Sequence, residues 1–171
     1  MSADAAALRS LEARVRALED VEAIRRLKAR YAELVDARYA EGGVAEPGAV
    51  EELARRIAGL FTEDAVWDGG AALGVCRGRE AIRERMARPT LHFSHHYFVK
   101  PRIEVDGDRA TGRWDLLAPC TTADERAMWM AGVEDDVYSR VGGEWLHASM
   151  KLRVVFMAPH DHGWAKKKPG C

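Results

Sequence analysis

The chain has 171 residues, of which 47% are hydrophobic and 31% charged, and a formal net charge of −1. That length can bury a core without disulfide or metal staples, and the near-neutral balance leaves no electrostatic footprint for nucleic acid or an anionic membrane. Cys76, Cys120 and Cys171 form no CxxC pair, the N-terminus lacks a signal-peptide core, and no apolar run reaches the length of a membrane span. A single domain over residues 1–171, in the reducing cytoplasm, is expected.

Residues 3–19 carry Leu8, Leu11, Val15 and Leu18 at helical spacing. The seam spans only about two heptads, so it is expected to pack on its own body or on a twin subunit rather than form a free coiled coil. At Asp20 the apolar phase slips by one residue. A second helix, striped by Ile24, Leu27, Tyr31, Leu34 and Val35, is expected to reach about Ala40. A third follows the Pro47-Gly48 turn, with Val50, Leu53, Ile57 and Leu60 inward.

Beyond Phe61 the pattern changes to strands: Ala65 to Trp67, a bend at Gly69-Gly70, then Leu73 to Cys76. A short helix opens at Gly78-Arg79-Glu80 and stops before Pro89. Four longer strands are expected at 93–105, 109–120, 127–140 and 144–158, with hairpin signals at Asp106-Gly107-Asp108 and Gly142-Gly143. Strand 109–120 alternates cleanly, placing Ala110, Gly112, Trp114, Leu116 and Ala118 on one face. The last strand is expected to turn Leu146, Ala148, Met150, Leu152, Val154 and Phe156 one way and His147 to a polar face. Helices followed by an antiparallel sheet give the α+β class: a curved sheet with N-terminal helices closing a pocket. The tail from Pro159 has no period, and Trp164 is expected to dock at the pocket edge.

Several residues could carry chemistry. Asp36 lies just past the second apolar stripe, near a helix C-terminus that does not favour a carboxylate. His95 and His96 sit in a β-rich run, and strict alternation cannot choose between them, because Pro101 could mark a parity-changing bulge. His92, His95, His96, His160 and His162 match no familiar zinc spacing, and HExxH is missing. No glycine-rich phosphate loop or serine elbow is present either. Neither metal nor cofactor is therefore expected.

Leu18 to Tyr31, Asp36, Phe61-Thr62-Glu63-Asp64-Ala65 and Gly78-Arg79-Glu80-Ala81-Ile82 together resemble the SnoaL-like branch of the nuclear-transport-factor-2-like (NTF2-like, cystatin-like) superfamily. The segments His96 to Pro101, Ala110 to Trp114 and Gly143-Glu144-Trp145 extend the resemblance across nearly the whole chain. Within the branch the chain is most similar to bacterial bile-acid dehydratases, and around His96-Tyr97 to hexachlorocyclohexane dehydrochlorinase. The resemblance implies an α+β cone with a deep pocket, a catalytic Asp–His dyad at Asp36 and His96, and a helix tyrosine at Tyr31. It also shows departures. The second pocket aspartate of the bile-acid enzymes falls on Ala118, their further tyrosine near Gly69, the dehydrochlorinase lysine on Tyr31, and its last-strand arginine near Met150.

The expected activity is a cofactor-free lyase or isomerase acting on a bulky apolar carbonyl or hydroxy compound such as a steroid, polyketide or terpenoid. Trp67, Phe98, Trp114, Met128 and Met130 are the expected pocket walls. The rival expectation is a non-catalytic small-molecule binder or dimerising scaffold. A homo-oligomer, dimer or trimer, is expected in either case, with no nucleic-acid or membrane partner.

Overall fold

A computed structural model describes residues 3–161. His162, Trp164, the lysines at 166–168 and Cys171 lie outside the described residues, and with them the expected docking of the tail.

Helix α1 (Ala3–Asp36) is one continuous element, where two helices meeting at Asp20 were expected. Asp20 does not act as a cap. Its carboxylate accepts hydrogen bonds from Trp145 Nε1 at 3.1 Å and pairs with Arg140 Nη2 at 2.6 Å. The phase slip instead marks where the helix begins to lie on the sheet. Before it, Leu8, Leu11, Val15 and Leu18 are exposed, so among the described residues nothing of the body packs on this seam. Beyond it, Ile24 packs with Ala110, Tyr138 and Trp145, and Tyr31, Leu34 and Val35 enter the main core.

A two-stranded ribbon, β1 (Tyr39–Ala40) with β2 (Gly43–Val44), leads to α2 (Pro47–Ala58), which has proline in its first turn, where the missing N–H is harmless. The remaining elements are β3 (Phe61–Asp68), α3 (Gly70–Leu73), β4 (Val75–Arg77), α4 (Arg79–Met86), β5 (Phe93–Ser94), β6 (Tyr97–Asp106), β7 (Arg109–Thr121), β8 (Ala127–Val141) and β9 (Glu144–Pro159). They form a seven-stranded sheet in the order β4-β3-β9-β8-β7-β5, with β6 also on β7. Every pairing is antiparallel except β3 with β9. The hairpins turn at Gly107 (φ 59°) and at Gly142-Gly143 (φ 61° and 89°), conformations that cost glycine least.

Strand β7 keeps the predicted alternation from Ala110 to Cys120. Strand β9 does not. Its register against β8 shifts between His147 and Ser149 and again between Val154 and Phe156, leaving one unpaired residue at each step. Each extra residue reverses which face the following side chains take. Trp145 and His147 therefore point inward before the first shift, and Met150 and Leu152 after it. His147 is fully buried, not on a polar face as expected, and Phe156 is exposed.

The inner face is tightly filled around Gly112. A Cβ there would meet Tyr138 Cε2 at 2.8 Å and Trp114 Nε1 at 3.2 Å. Gly112→Ala is expected to destabilise the protein by about 1–3 kcal/mol through overpacking, read by urea unfolding. An unchanged midpoint would mean that the sheet relaxes around the added methyl.

Candidate active site

The edge of the sheet breaks where β5 gives way to β6, and Pro119 explains the break. The Pro119 carbonyl accepts from the His95 N–H at 3.1 Å, so the proline nitrogen faces the same neighbour, and it has no proton to return. The register is the same on both sides of the break, Ser94 opposite Cys120 and Tyr97 opposite Leu117, so His95 faces β7 and the N–H of His96 points outward from the edge strand, free for another acceptor. Helix α1 ends opposite, and the Asp36 carboxylate takes that N–H at 3.1 Å from both of its oxygens. The same carboxylate accepts from His96 Nδ1 at 2.6 Å, while His95 Nδ1 lies 3.0 Å from its second oxygen.

The break preserves in-out alternation: Ser94 is buried, the His95 side chain is 47% exposed and His96 is 16% exposed. His95 turns outward onto Tyr97, whereas His96 stacks parallel to Phe98 and lines a partly open cavity. This resolves the choice that the sequence left open. Pro101 does lie at a register shift, with Lys100 at φ 51°, but it falls beyond His96 and does not affect it.

The cavity holds about 160 Å³ and is walled mainly by apolar side chains, among them Val35, Trp67, Met86, Leu116, Met130 and Leu152. Tyr31 and Glu134 bring hydroxyl and carboxyl groups to the same wall. Asp36 is absent from the lining, so it stands behind His96 as seen from the cavity. Of the expected wall residues, Trp67 and Met130 face this space. Phe98 and Trp114 line a second, open groove of about 710 Å³ between α1 and β6, together with Asp36, His95 and His96, so His96 borders both spaces. Met128 is buried at the start of β8, opposite Pro159, and is not in the cavity wall. Gly69 fits the wall only as glycine, since a Cβ would come within 2.5 Å of both the Trp67 ring and Leu73.

Tyr31 is 4% exposed, and its hydroxyl accepts from Trp67 Nε1 at 3.2 Å. Its own proton has no acceptor among the described residues. Burial pushes the phenol well above its usual range, and the charge of Glu134 adds to this. It therefore stays protonated and can donate.

The sequence reading missed a buried polar cluster beside Tyr31. The Lys28 side chain is 1% exposed and pairs with Glu134 and, at 2.9 Å, with Asp136 Oδ2. Tyr138 donates to Asp136 at 2.7 Å and accepts from Trp114 Nε1 at 3.0 Å. Burial disfavours the ammonium, but Asp136 and Glu134 more than offset that and hold Lys28 charged. One ammonium cannot neutralise two carboxylates, and burial together with Asp136 drives the Glu134 carboxyl upward. His147, 3.9 Å from Asp136 and packed among the Tyr31, Phe61 and Tyr138 rings, is driven toward the neutral form by burial and by Lys28. The signal was present in the sequence. Lys28 stands four residues after Ile24 and three before Tyr31, and Glu134 and Asp136 share the phase of Met128 and Met130. Among the described residues, no three potential metal ligands converge, and no helix is long and apolar enough to cross a membrane.

A curled, mostly antiparallel sheet closed by N-terminal helices over a cavity is the architecture of the NTF2-like, cystatin-like proteins. The profile of the SnoaL-like domain matches residues 51–151, more than half of the chain, and the protein belongs to that family. No curated protein matches the sequence. Among solved structures, the chain is similar to an NTF2-like protein of cystatin-like fold from Novosphingobium aromaticivorans, with TM-score 0.67 and 24% identity over 93% of this chain and 94% of that one. It is similar to hexachlorocyclohexane dehydrochlorinase LinA-type3 from Novosphingobium barchaimii, with TM-score 0.66 and 24% identity over 83% and 90%. It is also similar to a candidate scytalone dehydratase from Novosphingobium aromaticivorans, with TM-score 0.67 and 21% identity over 84% and 89%. At these identities the likeness concerns the fold.

Lys28→Met would leave two carboxyl groups buried without their cation. A loss of about 3–5 kcal/mol is expected in chemical unfolding, and a stability within 1 kcal/mol of wild type would show that the cluster is hydrated and weakly coupled.

Proposed function

We propose that the protein is a cofactor-free lyase or isomerase, dehydratase-like in its chemistry, in which His96 is the base. One observation carries this reading. The Asp36 carboxylate engages both the His96 N–H and Nδ1, which leaves Nε2 without a partner among the described residues at the wall of an apolar cavity. A carboxylate on Nδ1 fixes the tautomer with its lone pair on Nε2 and stabilises the imidazolium that forms when Nε2 takes a proton. Asp36 is thus a positioning residue, and His96 meets the substrate.

In an elimination, Nε2 removes a proton from the carbon beside a carbonyl, and the C–H electron pair becomes the new double bond as the C–O bond breaks. Tyr31 donates a hydrogen bond to the developing enolate oxygen. The departing hydroxyl needs a proton to leave as water, and Glu134, whose carboxyl is pushed toward the protonated form, is the group we assign to supply it. In an isomerisation, the proton on His96 returns to a different carbon and no hydroxyl leaves. The apolar walls strengthen the Asp36–imidazolium attraction beyond its value in water. A cavity of about 160 Å³ is close to the ~150 Å³ that admits one benzene ring. Among apolar carbonyl compounds this favours compact cyclic terpenoids or aromatic polyketides over steroids.

A second reading has its own support. The His96 N–H bond to Asp36 also tethers α1 to the sheet, a role that a non-catalytic binding protein would share. Proton exchange separates the two. In D₂O, the wild type is expected to exchange hydrogens next to the carbonyl of a compact cyclic ketone, followed by NMR. His96→Ala should lower the rate by about 10²–10⁴-fold, and Asp36→Asn should lower it as well. Exchange at the wild-type rate in both variants, or none in the wild type across a panel of cyclic ketones and hydroxyketones, would favour the binder.

A further inference from the structure

Arg38 is 6% exposed and lines the same cavity, two residues beyond Asp36. Its Nε donates to the Val35 carbonyl at 3.1 Å and its Nη1 to the Met86 carbonyl at 3.0 Å, at the C-terminal ends of α1 and α4. Those bonds fix the guanidinium but use only two of its five N–H donors. No carboxylate among the described residues pairs with it, whereas the buried Lys28 has two. Arg85 stands on the same wall over the Trp67 ring, held by the Arg88 carbonyl and the Thr90 hydroxyl, and it too has no carboxylate partner among the described residues. Two guanidiniums on one wall of a greasy cavity repel each other, and a buried cation is costly without a counter-charge.

An independent feature lies on the facing strand. Ser94 is 1% exposed, lines the cavity, and its hydroxyl has no hydrogen-bond partner. Buried hydroxyls are ordinarily satisfied, so an orphan aimed into a cavity marks a missing ligand atom. Ser94 precedes His96 by two residues on the same inward face, a separation of about 6–7 Å along extended chain.

We propose that the cavity takes a ring compound bearing a carboxylate, with the carboxylate held by Arg38 and Ser94 and screened at the rim by Arg85. The guanidinium supplies charge-assisted N–H donors in the planar fork that suits a carboxylate, and Ser94 adds an O–H donor. The apolar ring then lies along Trp67 and Met130, with its reacting carbon toward His96. This specificity rests on the cavity being the active site, and it is tested by binding so that the two can fail separately.

The probes are cyclohexanecarboxylate and its neutral amide, titrated into the purified full-length protein and followed by calorimetry. The acid is expected to bind, and the amide to bind at least ~20-fold more weakly, as loss of a buried charge pair implies. Arg38→Gln should abolish the preference, Ser94→Ala should reduce it, and His96→Ala should keep it. Equal affinity for acid and amide, no binding of the acid, or a preference that survives in folded Arg38→Gln would each overturn the proposal. The acid-amide comparison needs only the wild type, so it stands even if the Arg38 variant does not fold. A preserved acid preference with unchanged proton exchange in the dyad variants would sink the catalytic reading alone.

Discussion

The structure turns on a carboxylate at the end of a long helix that accepts from one residue twice. Asp36 takes the backbone N–H and the ring N–H of His96, which joins α1 to the sheet and orients the imidazole in one stroke. A carboxylate is not favoured at a helix C-terminus, so these donors are what makes the position tolerable. The backbone donor exists because His96 follows His95, which faces β7, on an edge strand whose alternate N–H groups point outward. An edge strand with an outward N–H and an acid ending α1 together make the contact.

Charge is distributed around the cavity with the same economy. On one side the Lys28 cluster carries more acid than base, and burial together with Asp136 raises the Glu134 carboxyl above its usual range where it meets the cavity. On the other, Arg38 and Arg85 carry positive charge, and neither pairs with a carboxylate among the described residues. His96 and Tyr31 line the same apolar space, in which a proton or a developing negative charge is felt strongly. The result is an apolar space bordered by an imidazole, a phenol, a carboxyl group and two guanidiniums.

Much of this was legible in the residues. The alternation of β7, both glycine hairpins and the inward stripe of α1 from Ile24 to Val35 follow from period and turn chemistry alone. The pairing of Asp36 with His96 did not, since sixty residues separate them; it came from a resemblance. What was misread has physical causes. A helix that first overhangs and then lies on a sheet changes its apolar phase without breaking, so Asp20 looked like a boundary. Two extra residues in β9 reversed its faces, and bulges leave no mark in a run of apolar residues, so His147 was assigned to the wrong side. Lys28, Glu134 and Asp136 are charged, and a charged residue on an apolar stripe is ordinarily solvated; what buries these three is the pairing of a helix lysine with two acids of one strand, more than a hundred residues away. Phe98 and Trp114 are on the inner face with Leu116, as alternation places them, but they lie against the groove under α1, and alternation gives the face without the position along it.

The central claim is that Asp36 holds the neutral His96 ring with its proton on Nδ1 and its lone pair on Nε2. The most direct measurement is ¹⁵N NMR of the histidine side chains in wild type and Asp36→Asn. The account predicts a protonated Nδ1 and an unprotonated Nε2 for the neutral His96 ring, with that bias lost in the variant. A proton on Nε2 in the wild type, or a tautomer balance indifferent to residue 36, would contradict it.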